Sequence, residues 1–261
     1  MTQPNIFALG FSHLVVVREA QNVRLRQDRK TFAMTTMLIG QDERHRPFES
    51  IVDGQVQYNE IFRNDLADLV AKEQPDSIVG CLWGNQNFFL STATNPKSFD
   101  FILPSEPRRE RITGAQLIPY EMMKSFIAVQ FQKVDYILDT LKSLTRAPII
   151  LVSAPPPMED FSPIAFGSSD PRIDAQVEKF GVAAPVLRYK FWKLCDEIYR
   201  EKAAAHGVIV LPPPGDSRTA EGFRRPEYFG PDWIHANLAY GELVLKQIEA
   251  IVRDAPKSEA A

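Results

Sequence analysis

Length, hydrophobic content and charge narrow the class of protein at the outset. A chain of 261 residues with 44% hydrophobic residues can bury a large core, and α/β chains of this length commonly form one domain. A formal net charge of −3 with scattered basic residues excludes a nucleic-acid footprint, so no nucleic-acid partner is expected. No signal peptide is recognisable and no apolar run approaches the roughly 18 to 20 residues of a membrane span, which predicts a cytoplasmic location without a membrane partner.

Short apolar runs alternate along the chain with stretches whose apolar residues recur every three or four positions. The runs predict five strands, at Ile6–Leu9, Phe32–Ile39, Ser77–Trp83, Pro148–Ser153 and Val208–Leu211. The periodic stretches predict helices at about Tyr58–Ala71, through Met123, Ile127, Phe131, Val134, Leu138 and Leu141, through Leu187, Phe191, Leu194 and Ile198, and at about Asn237–Val252. This alternation is typical of a parallel sheet with helices on both faces, an α/β fold. We expect one domain over residues 1–254 and a disordered tail over residues 255–261.

Two segments and two proline clusters point to one edge of the sheet. Asn85–Gln116 and Pro155–Ala184 are too long for plain connections, which predicts functional loops. Pro155–Pro157 and Pro212–Pro214 follow the fourth and fifth strands, where proline cannot continue a central strand. In open α/β sheets, ligands bind at this carboxyl edge.

Ser12 lies in Gly10-Phe-Ser12-His13, directly after the first strand. Its hydroxyl is expected at the carboxyl edge of the sheet. The β-branched run Val15–Val17 argues against a helix immediately after Ser12. The Gly-x-Ser-x-Gly elbow of other hydrolases is not met, because Leu14 stands where its second glycine would be.

Asp232 and His235 lie three positions apart, just before the last predicted helix. The carboxylate can orient the imidazole and leave the other ring nitrogen free for a hydroxyl. A hydroxyl, a base and an acid are the parts from which a serine hydrolase makes its nucleophile. An isolated Asp-x-x-His is also typical of a turn cap beside a surface histidine, so Ser12 and this pair support each other.

No metal and no cofactor are expected. The four histidines have no ligand spacing, and no glycine-rich phosphate loop is present. Cys81 and Cys195 fall in a strand pattern and a helix pattern, and both are expected to be buried thiols rather than a disulfide.

Three blocks together resemble the SGNH (GDSL-like) hydrolases, in the same chain order: Gly10-Phe-Ser12-His13, Trp83-Gly84-Asn85 and Asp232-Trp-Ile-His235-Ala-Asn-Leu-Ala-Tyr-Gly241. The resemblance implies a flavodoxin-like three-layer α/β/α sandwich with a five-stranded parallel sheet. It also implies a catalytic triad in which Ser12 is the nucleophile, His235 the base and Asp232 the acid that orients it. Asn85 takes the place of the side-chain donor in the oxyanion hole.

The sequence departs from the family pattern at several positions. Phe11 replaces the aspartate of the Gly-Asp-Ser block. Trp83 replaces the glycine of Gly-x-Asn, which leaves Asn87 as an alternative to Asn85. For the glycine of the oxyanion hole, Gly54 is the best candidate by chain order and Gly40 is its rival.

The residues and the resemblance predict an ester hydrolase, or a closely related acyltransferase, that acts through an acyl-enzyme on Ser12. A short acyl or O-acetyl group, on a small molecule or a carbohydrate, is the expected substrate by family analogy. The alternative is a module of the same fold that binds a glycan or another partner with little or no turnover. Phe11 and Trp83 motivate that alternative.

Overall fold

A parallel five-stranded sheet forms the centre of the structure. The computed structural model of the chain describes residues 3–53, 55–83, 88–95, 97–162 and 171–254. In chain order, the strands are β1 (Asn5–Gly10), β2 (Ala33–Leu38), β3 (Glu49–Val52), β4 (Gln55–Tyr58), β5 (Ser77–Cys81), β6 (Phe99–Asp100), β7 (Gln116–Leu117), β8 (Ile149–Val152) and β9 (Ile209–Leu211). The central sheet has the order β2-β1-β5-β8-β9, which is the flavodoxin-like arrangement. The α/β/α fold class is thereby confirmed.

All four neighbouring pairs of the central sheet are parallel. In the register of the sheet, Ile6 of β1 lies between Met34 of β2 and Ser77 of β5. Two short sheets lie outside it: β3 pairs with β4 as an antiparallel hairpin, and β6 pairs with β7 in parallel. All five predicted strands correspond to strands of the central sheet, whereas neither of the short sheets was predicted.

Helices cover both faces of the sheet. In chain order, they are α1 (His13–Arg26), α2 (Glu60–Glu73), α3 (Phe88–Ser91), α4 (Tyr120–Ala128), α5 (Gln132–Leu144), α6 (Pro171–Phe180), α7 (Pro185–Ala205) and α8 (Leu238–Asp254). The apolar side chains of α1 and α8 join one buried cluster, and those of α2, α4, α5 and α7 join another. Successive side chains along a strand point to opposite faces of the sheet, so each strand contributes to both clusters. In β1, Phe7 and Leu9 face one cluster, and Ile6 and Ala8 face the other.

Close packing of α1 against α8 brings the two ends of the chain together. A side chain at Gly241 of α8 would place its Cβ 2.4 Å from the backbone oxygen of Val16 in α1, so only glycine allows this approach. Arg24 of α1 is 5% exposed and forms ion pairs with Glu242 (2.8 Å) and Glu249 (3.3 Å) of α8. The residues that begin these two helices therefore meet at the same edge of the sheet.

Two predicted features of the helices need correction. The periodic stretch through Met123 and Leu141 is two helices, α4 and α5, joined by a 3₁₀ turn at Val129–Phe131, although its apolar residues are buried as predicted. The expectation that Val15–Val17 opposes a helix after Ser12 is wrong, because α1 begins at His13. Val17 packs into the cluster between α1 and α8, and this burial outweighs the low helix propensity of valine.

Other expectations concern the cysteines, the tail and the membrane. Cys81 and Cys195 are both free and buried, as predicted. The predicted tail, residues 255–261, lies outside the described residues. Among the described helices, none is long and apolar enough to cross a membrane.

Candidate active site

Ser12 stands at the carboxyl end of β1, at the start of α1. It is the residue that caps α1, its side chain is exposed, and its hydroxyl makes no capping hydrogen bond. The first N–H groups of a helix have no acceptor within the helix and carry a partial positive charge. Ser12 Oγ thus makes no capping hydrogen bond to α1, and it lies at a helix end that favours negative charge nearby.

Asp232 and His235 form a hydrogen-bonded pair in the turn that leads into α8. Asp232 Oδ2 lies 2.7 Å from His235 Nδ1, and Asp232 Oδ1 accepts hydrogen bonds from the amides of Ile234 and His235, both at 2.8 Å. His235 Nε2 is buried and has no hydrogen-bond partner within the described parts of the chain. The carboxylate therefore fixes one ring nitrogen and leaves the other available.

The same contacts set the ionisation of Asp232. Half-burial by itself would raise the pKa of this carboxyl. The hydrogen bonds from the ring and the amide of His235, the charge of His235 and the amide of Ile234 outweigh burial and hold the pKa of Asp232 well below its usual range. Asp232 is thus an anion at any pH at which an esterase is ordinarily assayed.

Neighbouring residues hold the Asp232–His235 turn in place. The guanidinium of Arg224, which is 1% exposed, donates to the backbone oxygens of Trp233 (3.2 Å) and Ile234 (3.3 Å). Asn237 caps α8 by accepting from the amide of Tyr240 at 3.2 Å. At Gly230 a Cβ would lie 2.3 Å from the backbone oxygen of His235, so this approach also requires glycine. The turn is fixed by backbone contacts as well as by its own carboxylate.

His13 connects the Ser12 end of the site to His235. The two imidazole rings lie 5.4 Å apart between centroids and are tilted by 58°. Because His13 directly follows Ser12, this contact puts Ser12 and His235 at the same edge of the sheet. Burial, the charge of His235 and the charge of Arg224 lower the pKa of His13 to about 3, against an opposing effect of Asp232. His13 is therefore neutral at pH 7.

A neutral, buried His13 makes the stability of the protein depend on pH. Its folded-state pKa lies below the unfolded value of 6.5, so the stabilisation is complete above pH 6.5 and is lost as pH falls toward 3. We expect wild-type protein to lose about 2 kcal/mol of unfolding free energy from this residue between pH 7 and pH 5. His13→Gln should reduce the pH dependence by that amount in urea denaturation at the two pH values.

The matched control for this prediction is Val17→Ala, one turn further along α1. This change removes buried apolar surface without removing a titrating group, so it should lower stability equally at both pH values. If His13→Gln and wild-type protein show the same difference between pH 7 and pH 5, His13 does not stay neutral in the folded state.

A small cavity opens beside these residues. It has a volume of about 60 Å³, and its lining includes His13, Trp233, Ile234 and the proline run Pro155–Pro157. One water needs about 10–15 Å³, so the cavity has room for a group of a few non-hydrogen atoms. The first proline cluster thus borders a cavity at the carboxyl edge of the sheet, as the sequence predicted.

Of the asparagine and glycine residues expected to form the oxyanion hole, the structure describes only Gly40. Asn85, its alternative Asn87, and Gly54 all lie outside the described residues. The rival glycine, Gly40, is described: it follows Ile39, whose amide donates to the backbone oxygen of Gly10 at 2.8 Å. Gly40 has φ +76°. Its neighbour Ile39 is hydrogen-bonded to Gly10, which ends β1 two residues before Ser12, so Gly40 lies next to the end of β1.

Two residues that depart from the family pattern have structural roles. Phe11 packs edge-on against Phe48, with ring centroids 6.1 Å apart, and the ammonium of Lys133 lies 5.6 Å above its ring. Trp83 is 2% exposed and stacks with Trp192 at 6.1 Å. Trp83 also lines the cavity beside His235.

The structure brings together one group of potential metal ligands that sequence spacing did not reveal. Ligand atoms of Asp42, His45 and Asp65 lie within 4.8 Å of one another. The guanidinium of Arg44 already pairs with Asp42 at 2.7 Å and with Asp65 at 2.9 Å, so a cationic side chain of the protein is already bound to both carboxylates. We therefore assign no metal to it.

Comparison with known proteins gives similarity in fold. No protein-family model and no curated protein matches the chain. Among solved structures, it is similar to a GDSL-like lipase from Bacteroides thetaiotaomicron, with 14% identity, a TM-score of 0.45, and 98% of this chain and 93% of that chain covered. It is also similar to a protein assigned as an arylesterase from Agrobacterium tumefaciens, with 13% identity, a TM-score of 0.47, and 96% and 99% covered.

A third similar structure is an extracellular lipase from Streptomyces rimosus, with 12% identity, a TM-score of 0.44, and 94% of this chain and 99% of that chain covered. Because likeness at this level does not specify an activity or a substrate, we infer the function of this chain from the site itself. The central sheet, with the order β2-β1-β5-β8-β9, is the flavodoxin-like arrangement that the resemblance of the sequence blocks implies.

Proposed function

We propose that the protein is a serine ester hydrolase in which Ser12 is the nucleophile, His235 the base and Asp232 the acid. The observation that carries this proposal is the 2.7 Å contact between Asp232 Oδ2 and His235 Nδ1, together with a buried and unpartnered His235 Nε2. A carboxylate that accepts the Nδ1 proton leaves Nε2 as the nitrogen that can take a proton from a hydroxyl. Ser12 supplies a hydroxyl at the same edge of the sheet, and this hydroxyl makes no capping hydrogen bond to α1.

The reaction proceeds in two proton-coupled halves. In the first, His235 Nε2 takes the Ser12 proton, Oγ attacks the ester carbonyl carbon, and the imidazolium returns the proton to the departing alcohol oxygen. In the second, water loses a proton to Nε2 and attacks the acyl-enzyme, which releases the acid and restores Ser12. The anionic Asp232 stabilises the imidazolium that forms in both halves.

The oxyanion needs donors near Ser12. The amides of Leu14 and Val15 already donate to the backbone oxygens of Phe11 and Ser12, so the amides of Ser12 and His13 are the proposed donors at the start of α1. A preorganised donor is typically worth about 2.7–4 kcal/mol in the transition state. Gly40 adjoins the end of β1 through the Ile39–Gly10 hydrogen bond, which supports its amide as a second donor, and Gly54 stays the candidate from chain order. Asn85 remains the proposed side-chain donor from the sequence resemblance.

The cavity beside His235 supports a small acyl group. A volume of about 60 Å³ admits an acetyl group or another short acyl chain. The proposed substrates are therefore esters with short acyl chains, including O-acetyl groups on small molecules or carbohydrates, with water as the acceptor.

A fluorophosphonate probe tests the nucleophile directly. We expect the wild-type protein to react with the probe and to hydrolyse p-nitrophenyl acetate, because both need an activated serine. Ser12→Ala should abolish both, as measured by gel fluorescence and by release of p-nitrophenol. The control is Ser143→Ala, which removes an exposed serine of α5 and should leave both signals intact.

Two outcomes would contradict the hydrolase. If Ser12→Ala protein is still labelled at the wild-type rate, the nucleophile lies elsewhere. If wild-type protein neither reacts with the probe nor hydrolyses the ester, the alternative of a binding module with little turnover is favoured.

A further inference from the structure

The cavity beside His235 is lined by two residues with side-chain nitrogens that have no hydrogen-bond partner among the described residues. Arg188 and His13 both line this cavity, and they are 5% and 7% exposed. Arg188 Nε and His13 Nδ1 are buried and have no hydrogen-bond partner within the described ranges. Leaving a buried polar group unsatisfied is costly, so two such atoms at one cavity indicate a ligand that hydrogen-bonds to them.

Among the described residues, no carboxylate forms an ion pair with Arg188, although the charges of Asp160 and Glu159 act on it. Its Nη1 donates to the backbone oxygen of Ala183, and its Nη2 donates to those of Met158 (3.0 Å) and Glu159. Its guanidinium lies 4.0 Å above the ring of Phe161. These contacts hold the plane of the guanidinium fixed and use three of its five N–H donors. The hydrogen on Nε and one hydrogen on Nη1 have no acceptor among these contacts.

The charges around the cavity favour an anion. Arg224, 1% exposed, also donates only to carbonyl oxygens among the side-chain hydrogen bonds described for it. Against these two buried cations stands Asp232, which is already paired with His235. The carboxylate of Asp160 is exposed and accepts from Ser162, and Glu159 is exposed as well. Burial lowers the pKa of Arg188 to about 10, so it remains a cation at neutral pH.

We propose that Arg188 Nε binds a carboxylate of the substrate, so that the preferred substrates are esters that carry a carboxylate group close to the ester bond. This inference rests on the proposed hydrolase for its reaction, but the binding itself does not require turnover. A carboxylate matches the site in chemistry, since its oxygens can accept a charge-assisted hydrogen bond from Arg188 Nε, and the neutral His13 on the same cavity adds no negative charge that would repel it. The aromatic and proline walls fit the short carbon chain between the two groups.

Binding can be measured without catalysis because of where the tryptophans lie. The chain has three tryptophans, and all of them, Trp83, Trp192 and Trp233, line this cavity. Tryptophan fluorescence therefore reports on this cavity alone. We would titrate Ser12→Ala protein with succinate and with the neutral analogue succinamide. Succinate should give a saturable change with an affinity about 10- to 100-fold above that for succinamide, the size expected for one charge-assisted hydrogen bond.

Variants of Arg188 assign the binding to its side chain. Arg188→Met, made in the Ser12→Ala background, should remove the preference for succinate over succinamide. Arg188→Lys keeps the charge but places no donor at the position of Nε, and it should keep part of the preference. The matched control is Arg200→Met on the same helix, where the guanidinium pairs with Asp196 at 2.8 Å, and this change should leave the preference intact.

Kinetics with Ser12 present show which side of the ester carries the carboxylate. Mono-p-nitrophenyl succinate against p-nitrophenyl acetate tests the acyl side, and acetylsalicylate against phenyl acetate tests the alcohol side. For each pair, the quantity compared is the ratio of kcat/KM for the charged ester to kcat/KM for the neutral ester. For one pair, we expect this ratio to be about 10- to 100-fold higher in wild-type protein than in Arg188→Met protein.

The possible results separate this inference from the proposed hydrolase. If wild-type protein binds succinate and succinamide alike, or if folded Arg188→Met or Arg188→Lys protein keeps the full preference, the carboxylate site is wrong even when neutral esters are hydrolysed. If succinate binding depends on Arg188 but no ester is hydrolysed, the carboxylate site stands and the hydrolase fails.

Discussion

We expect Asp232→Asn to lower kcat for p-nitrophenyl acetate by about 10³- to 10⁴-fold, with a much smaller change in KM. The amide keeps an oxygen that can accept from the backbone amides of Ile234 and His235, so the turn should hold. Its NH₂ group then faces His235 Nδ1, which must act as an acceptor. The ring proton moves to Nε2, and His235 can no longer take the proton of Ser12. Initial rates across a substrate series measure both constants.

The matched control for Asp232→Asn is Asp42→Asn. Asp42 also caps a short turn, accepting from the amide of Arg44 at 2.8 Å, but it has no contact with His235 among its described hydrogen bonds. Asp42→Asn should retain the wild-type kcat. A wild-type kcat for Asp232→Asn in protein that unfolds at the normal urea concentration would show that Asp232 does not orient a catalytic histidine.

The pairing of Asp232 with His235 could be predicted because a local spacing encodes it. That the Ser12 end of α1 and the Asp232–His235 turn lie at one edge of the sheet could also be predicted, because Ser12 follows a strand end and the carboxyl ends of parallel strands meet at one edge. The continuous apolar run of β1, Ile6–Leu9, identified a strand of the sheet because both of its faces are buried: Phe7 faces one buried cluster and Ala8 faces the other.

Other features depend on contacts that no short pattern encodes. Arg188 and Arg224 bind backbone oxygens of distant segments, and carbonyl groups carry no sequence signature. The neutral state of His13 results from burial between α1 and the Asp232–His235 turn, which spacing along the chain does not reveal. At Val17 the sequence misled in the opposite direction. The low helix propensity of valine argued against a helix, but packing of Val17 in a buried cluster stabilises that helix.

The position of Arg188 depends in turn on how α7 is anchored. Lys190, two residues along the same helix, forms an ion pair with Asp100 of β6 at 2.8 Å, and the two side chains are 1% and 0% exposed. Asp100 also accepts hydrogen bonds from the amides of Phe101 (2.8 Å) and Ile112 (3.0 Å). This pair ties the segment around β6 and β7 to the helix that carries Arg188 and Trp192.

We expect Lys190→Met to lower the unfolding free energy by about 3–5 kcal/mol, because it leaves the Asp100 carboxylate buried with no cation beside it. Urea denaturation at pH 7 measures this loss. The matched control is Lys124→Met, which breaks the exposed Lys124–Glu201 pair and should cost about 0–1 kcal/mol. Adding Asp100→Asn to Lys190→Met removes the stranded charge and should recover part of the loss. If Lys190→Met costs no more than Lys124→Met, the buried pair does not anchor α7.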